Sequence, residues 1–448
     1  MSTIEIRDPA TGAHVGRLEG AGPGEVAATV ARAHAATTGW SATPANQRAK
    51  ALRAAARAVG DSAGELAALN RAETGRPLDE AREGILAGAA TLEQYAELGA
   101  LHRGRSLLGD TEAVDMMVPE PRGVVAVLTP WNDPVAIACG LLGAALVTGN
   151  VVVHKPSERS PHTGALLTGL IAEAHPDGVV NALTGAASTG AMLASSEGVD
   201  LVAHVGSSRT GRAIATEAAR TGAAVLLENG GNDPLLVDED VDPAWAAAQA
   251  ALGAFANSGQ ICTSVERVYV HAAIAGEFLA ALTAEAENRV LAPLVDVAHR
   301  EMVHEQVAQA LAAGATALTG AAIPPGAGAH YPATVLAGCD GGMRIMTEET
   351  FGPIAPVQVV AGFDEGLEAA RSGDYGLAAT VLTRSMSHAQ RAWRELPVGT
   401  VKVNAVFGGA PGGSAHPRRM SGQGYGYGPE LLDEMTRTKV VHVRPPGP

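Results

Sequence analysis

The residues best equipped for chemistry surround one cysteine, Phe255-Ala256-Asn257-Ser258-Gly259-Gln260-Ile261-Cys262. A thiolate is a strong nucleophile, and Gly259 lets the backbone come close to a ligand. Attack by sulfur needs a group that steadies an oxyanion and, if a thioester forms, a base that delivers water. Upstream, Glu228-Asn229-Gly230-Gly231-Asn232-Asp233-Pro234 supplies a carboxylate for the second task. Thr129-Pro130-Trp131-Asn132-Asp133-Pro134 supplies a side-chain amide for the first. Gly206-Ser207-Ser208-Arg209-Thr210-Gly211 has the texture of a phosphate-binding turn.

Each feature has a plainer reading. A lone cysteine is usually a buried apolar residue, and Cys139 and Cys339, without such neighbours, are expected to be structural. Glu228 ends the apolar run Ala224-Leu227 and precedes two glycines, which is no ordinary surface. Desolvation there would raise its pKa, as suits a general base. Asn132 follows the apolar run Gly123-Leu128, at the kind of strand end where α/β sites gather, and a well-placed amide donor contributes ~3 kcal/mol. Gly206 to Gly211 departs from the G-x-G-x-x-G fingerprint, so a standard dinucleotide fold is not implied in detail. Lys155-Pro156-Ser157-Glu158 follows another strand, Val151-Val153. Its lysine and glutamate are expected at adenosine ribose hydroxyls, where a carboxylate repels a 2′-phosphate and favours NAD over NADP.

These groups need elements to position them. Short apolar runs at Gly123-Leu128, Val151-Val153, Val179-Leu183, Leu201-Val205 and Ala224-Leu227 alternate with helical stretches, which predicts a parallel α/β sheet. Ahead of them, residues 24–100 are alanine-rich and read as several helices. After Cys262, strands at Val268-Val270, Thr316-Leu318, Ala355-Val360, Thr380-Leu382 and Thr400-Val403 alternate with helices at Ile274-Glu287 and Glu305-Ala313, forming a second α/β unit. The tail Lys439-Val443 has no obvious core and is expected to lend an edge strand to a neighbouring subunit.

At 448 residues the chain exceeds one compact core, and two to three domains are expected. A net charge of −15 without a Lys/Arg run argues against nucleic acid or an anionic membrane as partner. Three distant cysteines make no disulfide framework, and a reducing compartment fits them. The greasy stretch Val135-Val153 is broken by Gly140, Gly143 and Gly149-Asn150, so it reads as a helix and a strand under a sheet rather than a membrane span. A soluble, cytoplasmic protein without a metal is expected.

Taken together, Pro130-Trp131-Asn132, Lys155-Pro156-Ser157-Glu158, Gly206-Ser207, Glu228-x-Gly230-Gly231, Gly259-Gln260-Ile261-Cys262 and Glu348-Glu349-Thr350-Phe351-Gly352-Pro353 resemble the aldehyde dehydrogenase superfamily, in its order and over nearly the whole chain. Tyr375-Gly376-Leu377 and Ser421-Gly422-Gln423-Gly424 add support. The resemblance implies NAD-dependent oxidation of a small-molecule aldehyde to an acid. Cys262 would attack, Asn132 and the Cys262 N–H would hold the oxyanion, and Glu228 would activate water. Thr129, Pro130, Trp131, Lys155, Ser157, Glu158, Gly206, Ser207, Gly230, Glu349 and Phe351 would hold the cofactor. It also implies an NAD-binding domain (1–110 and 122–230), a catalytic domain (231–434) and a bridging arm (111–121 and 435–448) serving a homodimer or homotetramer. A coenzyme A-acylating relative and a non-catalytic structural relative are the alternatives; retention of Glu228 speaks against the first, and retention of Cys262, Asn132 and Glu228 together against the second.

Some positions depart from that pattern. Asn229 and Asn232 replace a leucine and a lysine, Arg371 stands at a usual asparagine, and Ser414-Ala415-His416-Pro417 replaces Pro-Phe-Gly-Gly. The stretch near Asn288-Glu301 is short, as for a trimmed loop. Asp133, Ala136, Gly140, Ala256 and Thr263 are the expected substrate-facing positions. Their small size predicts a roomy tunnel for a bulky or functionalised aldehyde, with polarity from Asp133. For an anionic semialdehyde, Arg103, Arg105 and Arg267 are the candidate counter-charges.

Overall fold

The computed structural model describes residues 3–409 and 412–446. It opens with an antiparallel hairpin, β1 (Thr3–Arg7) and β2 (His14–Glu19). Four helices follow: α1 (Pro23–Ser41), α2 (Ala45–Asp61), α3 (Ala63–Thr74) and α4 (Leu78–Leu98). Small apolar residues at three- and four-residue spacing drive them together, as with buried Leu52, Ala55, Ala56 and Val59 on one face of α2. α3 stops at Gly75, whose φ of 76° ends the helix and leads into Arg76.

Two further strands, β3 (Arg105–Leu107) and β4 (Val114–Pro121), precede the first parallel unit. That unit runs β5 (Val124–Leu128), α5 (Pro134–Val147), β6 (Val151–Lys155), α6 (Pro161–Glu173), β7 (Val180–Ala182), α7 (Ala187–Ala194), β8 (Leu201–Val205), α8 (Ser208–Thr221) and β9 (Ala224–Glu228). The second unit runs β10 (Asp233–Val237), α9 (Pro243–Phe255), β11 (Val265–His271), α10 (Ala275–Glu287), α11 (Val297–Ala312), β12 (Thr316–Thr319), β13 (Thr334–Ala337), β14 (Ile354–Val360), α12 (Phe363–Arg371), β15 (Ala378–Leu382), α13 (Met386–Glu395) and β16 (Thr400–Val403). Short elements β17 (Gly422–Gln423) and α14 (Leu431–Glu434) lead to β18 (Thr436–Val443).

The first sheet has the order β17-β9-β8-β5-β6-β7, parallel except for β17. From β5 the chain builds outward through β6 and β7, then returns to place β8 and β9 on the other side. The crevice between the ends of β5 and β8, where Leu128 faces His204, is therefore the switch point at which such sheets bind ligands. The second sheet has the order β12-β13-β14-β11-β10-β15-β16, parallel except for β12. Both match the predicted α/β class. The apolar α5 is buried on nearly all sides between α4 and the first sheet, with Leu141, Leu142 and Leu146 fully covered. No described helix is long and apolar enough to cross a membrane.

Several expectations need adjusting. The third sheet, β18-β4-β3, joins Arg105–Leu107 to the segments 114–121 and 436–443. β3 is exposed along its length and carries no burial pattern to reveal it. β18 is not without a partner in its own chain: it pairs with β4 from Thr436↔Pro121 to Val443↔Val114. β17, from the 231–434 segment, joins the first sheet, where Gly422 faces Glu228. α11 starts at Val297 rather than Glu305, because Asp296 caps it by accepting from His299 N at 2.7 Å.

Candidate active site

α9 ends at Phe255, and the backbone then turns through three consecutive left-handed residues, Asn257 (φ 47°), Ser258 (φ 56°) and Gly259 (φ 74°). For the two that carry a side chain this costs about 1 kcal/mol or more each, so the neighbours must hold the turn. Ser258 Oγ donates to Ala292 O at 2.7 Å, Gln260 N and Nε2 both donate to Asn257 O at 3.1 Å, and Gln260 Oε1 accepts from Val295 N at 2.9 Å. Gly259 is required, since a Cβ there would lie 2.9 Å from Pro353 N. Beyond the turn, Cys262 keeps a partly exposed side chain.

Asn132 leaves the end of β5 and reaches this turn. Its Nδ2 donates at 3.2 Å to Gln260 O, which also accepts from Asn257 Nδ2 at 3.2 Å. Its own carbonyl accepts from Arg76 Nη1 at 3.4 Å, and the same nitrogen pairs with Asp133 Oδ1 at 3.0 Å. Asp133 is therefore paired with an arginine from the α3–α4 junction.

Glu228 ends β9. Its Oε1 accepts from Gly426 N at 3.1 Å, a bond that favours the carboxylate, yet burial outweighs it and pushes the carboxyl up to about 8. Burial also pushes the Cys262 thiol up to about 12, helped by the negative charges of Glu228, Asp233 and Glu349. Those four side chains thus share one electrostatic field. Glu349 Oε1 accepts from Gly231 N at 3.1 Å, and any side chain at Gly230 would collide with that carboxylate. Burial and neighbouring carboxylates hold Glu349 well above the usual range.

Two residues organise this region: Glu266, which nothing in the sequence marked, and Asn232, noted there only as a departure from the family pattern. Buried Glu266 accepts from Thr350 N at 2.6 Å and Phe351 N at 2.8 Å, fixing the loop in which Phe351 takes a φ of 52°. Asn232 Nδ2 donates to Glu348 O at 3.2 Å from the other side of the same loop. Asn229, the second unexpected asparagine, donates through Nδ2 to Met420 O at 3.1 Å and ties β9 to the segment before β17.

The remaining cofactor candidates cluster at the switch-point crevice. Ser207 caps α8, its Oγ accepting from Thr210 N at 3.3 Å, and Gly206 N donates to Glu228 O at 3.0 Å. A Cβ at Gly206 would lie 2.7 Å from the His204 ring. Thr129 Oγ1 contacts His154 Nε2 at 2.8 Å, next to Pro130. Trp131 meets Phe351 edge-on at 5.5 Å and carries Arg159 over its face at 5.4 Å. Lys155 Nζ is buried and donates to Pro156 O at 2.7 Å and Gly185 O at 2.8 Å, with Glu158 at 3.9 Å; Ser157 Oγ accepts from Arg159 N at 3.2 Å. A glycine at the turn, a capped helix N-terminus and a lysine–glutamate pair suit a dinucleotide's phosphates and ribose.

Of the substrate candidates, Ala136, Ala256 and Thr263 are partly exposed. Gly140 is buried, yet a Cβ there would meet no atom within 4 Å, so space lies beside it. The arginine candidates fail. Arg103 and Arg105 are exposed on or beside the arm, and buried Arg267 is engaged by Asn232 O, Tyr269 Oη and Ala370 O. His416 accepts from Gly424 N at 3.1 Å and meets Tyr425 edge-on, tying the unusual 414–417 loop to the strand-end segment.

With this geometry in place, likeness to known proteins defines the class. A model of the aldehyde dehydrogenase family matches residues 1–441, and the chain belongs to that family of aldehyde-acting oxidoreductases. It is 36% identical over 422 residues to an alpha-ketoglutarate semialdehyde dehydrogenase of Haloferax volcanii, covering 90% of this chain and 87% of the relative. It is 35% identical over 429 residues to a 2-hydroxymuconic semialdehyde dehydrogenase of Pseudomonas sp. strain CF600, covering 90% and 88%. Among solved structures, betaine aldehyde dehydrogenase of Staphylococcus aureus in complex with NAD+ superposes with a TM-score of 0.95 at 29% identity, over 99% of this chain and 92% of the other. A 3,6-anhydro-L-galactose dehydrogenase in complex with NAP superposes with a TM-score of 0.95 at 32% identity, over 99% and 96%.

Proposed function

We propose that this chain oxidises an aldehyde to a carboxylic acid, with Cys262 as nucleophile, Asn132 as oxyanion donor and Glu228 as general base. The observation that carries this reading is the meeting of the Asn132 amide and the Cys262 loop at one carbonyl, Gln260 O, with Glu228 acting on the sulfur's charge. A nicotinamide dinucleotide, when bound, supplies the hydride acceptor. Gly206, Ser207, Lys155 and Glu158 would hold its phosphate and ribose groups, and Glu349 and Phe351 would orient its reactive end. Cys262 releases its proton to solvent and its sulfur forms a C–S bond to the aldehyde carbon, while the C=O π pair moves onto oxygen as an oxyanion held by Asn132 Nδ2 and the Cys262 N–H. As the carbonyl re-forms, that carbon gives up its hydrogen as hydride and becomes a thioester. Glu228 then takes a proton from water, hydroxide adds to the thioester, and the C–S bond breaks to return the thiol and release the acid.

Glu158 beside Lys155 favours NAD over NADP, although relatives of this fold are found with either ligand. Both sequence relatives are named for semialdehydes, which agrees with a functionalised substrate next to the open space at Gly140. The outer edge of β18, unpaired among the described residues, is the surface we expect to join a second subunit. The experiment is reduced-cofactor formation, followed by near-ultraviolet absorbance, over a panel of aldehydes with and without coenzyme A. Turnover without coenzyme A that is abolished by Cys262→Ala supports the reading. Strict dependence on coenzyme A, or undiminished turnover in Cys262→Ala, removes it.

A further inference from the structure

One departure from the family pattern, the loop Ser414-Ala415-His416-Pro417, ends against the segment that holds the Glu228 carboxyl. His416 Nδ1 lies 2.9 Å from Pro417 O, a carbonyl that can only accept, so the proton of the neutral ring sits on Nδ1. Nε2 is then an acceptor, and it takes the Gly424 N–H at 3.1 Å. The ring also stands edge-on to Tyr425, with centroids 5.3 Å apart. Tyr425 N donates to Glu434 Oε1 at 3.2 Å, and Gly426 N donates to Glu228 Oε1 at 3.1 Å. Three successive backbone N–H groups thus each have a side-chain acceptor on a different element: the 414–417 loop, α14 and β9. A little further on, Gly428 O accepts from Tyr95 Oη of α4 at 3.2 Å.

Gly426 is matched to Glu228 by space as well as by its N–H. Its φ is not left-handed, unlike those of Gly424 (84°) and Gly428 (77°), so φ alone would admit a side chain. A Cβ there would nonetheless collide with Glu228 Cγ, Cδ and Oε1. Gly422 lies opposite Glu228 in the β17–β9 pair, and Asn229 N donates to Ser421 O at 2.9 Å. The glutamate is therefore gripped at its backbone by β17 and at its carboxyl by Gly426, with His416 and Glu434 fixing the chain between.

We propose that this brace positions the base: Gly426, kept in place by His416 through Gly424, sets where the Glu228 carboxyl stands. Both are then positioning residues for thioester hydrolysis rather than groups that meet the reacting atoms. This rests on Glu228 acting as general base. Attack by Cys262 and hydride transfer precede the step that needs the base, so loosening the brace slows the second half of the cycle alone.

Rapid-mixing traces of reduced-cofactor formation separate the two halves in the wild type, Gly426→Ala, His416→Leu and His416→Gln, with sites counted by alkylation of Cys262. Misplacing a catalytic group by about 1 Å costs roughly a hundredfold. Gly426→Ala should therefore keep the burst rate and lower the steady rate by about that factor. His416→Leu should lower the steady rate by roughly three- to tenfold, and His416→Gln, whose amide oxygen can accept the Gly424 N–H, should recover part of it. In a Glu228→Gln background neither Gly426→Ala nor His416→Leu should cause further loss, because the group they position is gone. Burst and steady rates that fall by one factor, or losses that persist undiminished in Glu228→Gln, mark a purely structural role and overturn the proposal. If Gly426→Ala does not fold, the two His416 variants decide by the same ratio of burst to steady rate. A steady phase lost in Glu228→Gln but unmoved by Gly426→Ala and His416→Leu strikes at the brace alone. An undiminished steady phase in Glu228→Gln removes the base reading, and the brace with it.

Discussion

Turnover should climb steeply with pH because of Glu228. Burial lifts its carboxyl from the ordinary 4.5 to about 8, against the opposing pull of the Gly426 N–H. At pH 7 roughly one molecule in ten then carries the carboxylate, and at pH 9 roughly nine in ten. If thioester hydrolysis limits the cycle, kcat rises roughly tenfold between those two values. Rapid mixing of enzyme with saturating aldehyde and cofactor should give a burst of reduced cofactor equal to the number of sites at low pH, shrinking as hydrolysis quickens. Glu228→Gln should keep the burst at every pH and lose the steady phase. The same lift alters stability in a defined direction. Between 4.5 and about 8 the unfolded chain releases the Glu228 proton while the folded chain keeps it, so rising pH disfavours the fold through that window. At about 1.4 kcal/mol per unit the ceiling is about 5 kcal/mol, and water reaching the part-exposed side chain reduces it to roughly 1–3. Urea unfolding should therefore show Glu228→Gln gaining on the wild type from pH 5 to pH 9. A wild-type kcat flat from pH 6 to 9 with no burst, and a stability difference that ignores pH, would refute the reasoning.

If Asn132 is the oxyanion donor proposed above, Asn132→Ala should lower single-turnover rates by roughly a hundred- to a thousandfold. Arg76→Met leaves Asp133 without its partner and frees the Asn132 carbonyl; kcat should drop while cofactor affinity, read by fluorescence titration, stays near wild type. Glu266→Leu removes the acceptor of two buried N–H groups, which should cost about 3 kcal/mol or more in chemical unfolding and weaken cofactor binding through the Phe351 loop. Gly206→Ala forces a methyl onto the His204 ring and should raise the cofactor KM with little change in the rate of Cys262 alkylation.

The sequence made the strands of both sheets legible because buried parallel strands are short apolar runs with abrupt ends, as at Val151 and Leu201. The chemistry-bearing residues stood out for a related reason: Asn132, Glu228 and the Gly206 turn all sit where such a run stops. What stayed hidden depended on partners distant along the chain. Nothing near Asp133 announces Arg76, and nothing near Glu266 announces the N–H groups of Thr350 and Phe351. Exposed β3 lacks any alternation, and β18 alternates weakly, so their pairing with β4 could not be read in advance.

The backbone amide that holds Glu228 belongs to Gly426, and Gly422 lies opposite the same glutamate across the sheet. Cysteine, amide and acid are all translated long before that clamp exists. A growing chain can raise its central sheets on the ribosome and still have no settled base, since contacts of such long range form late. If Glu228 is the base, its positioning therefore arrives with the final stretch of polypeptide, and a product cut short before residue 422 would keep the nucleophile yet lack the clamp on its acid.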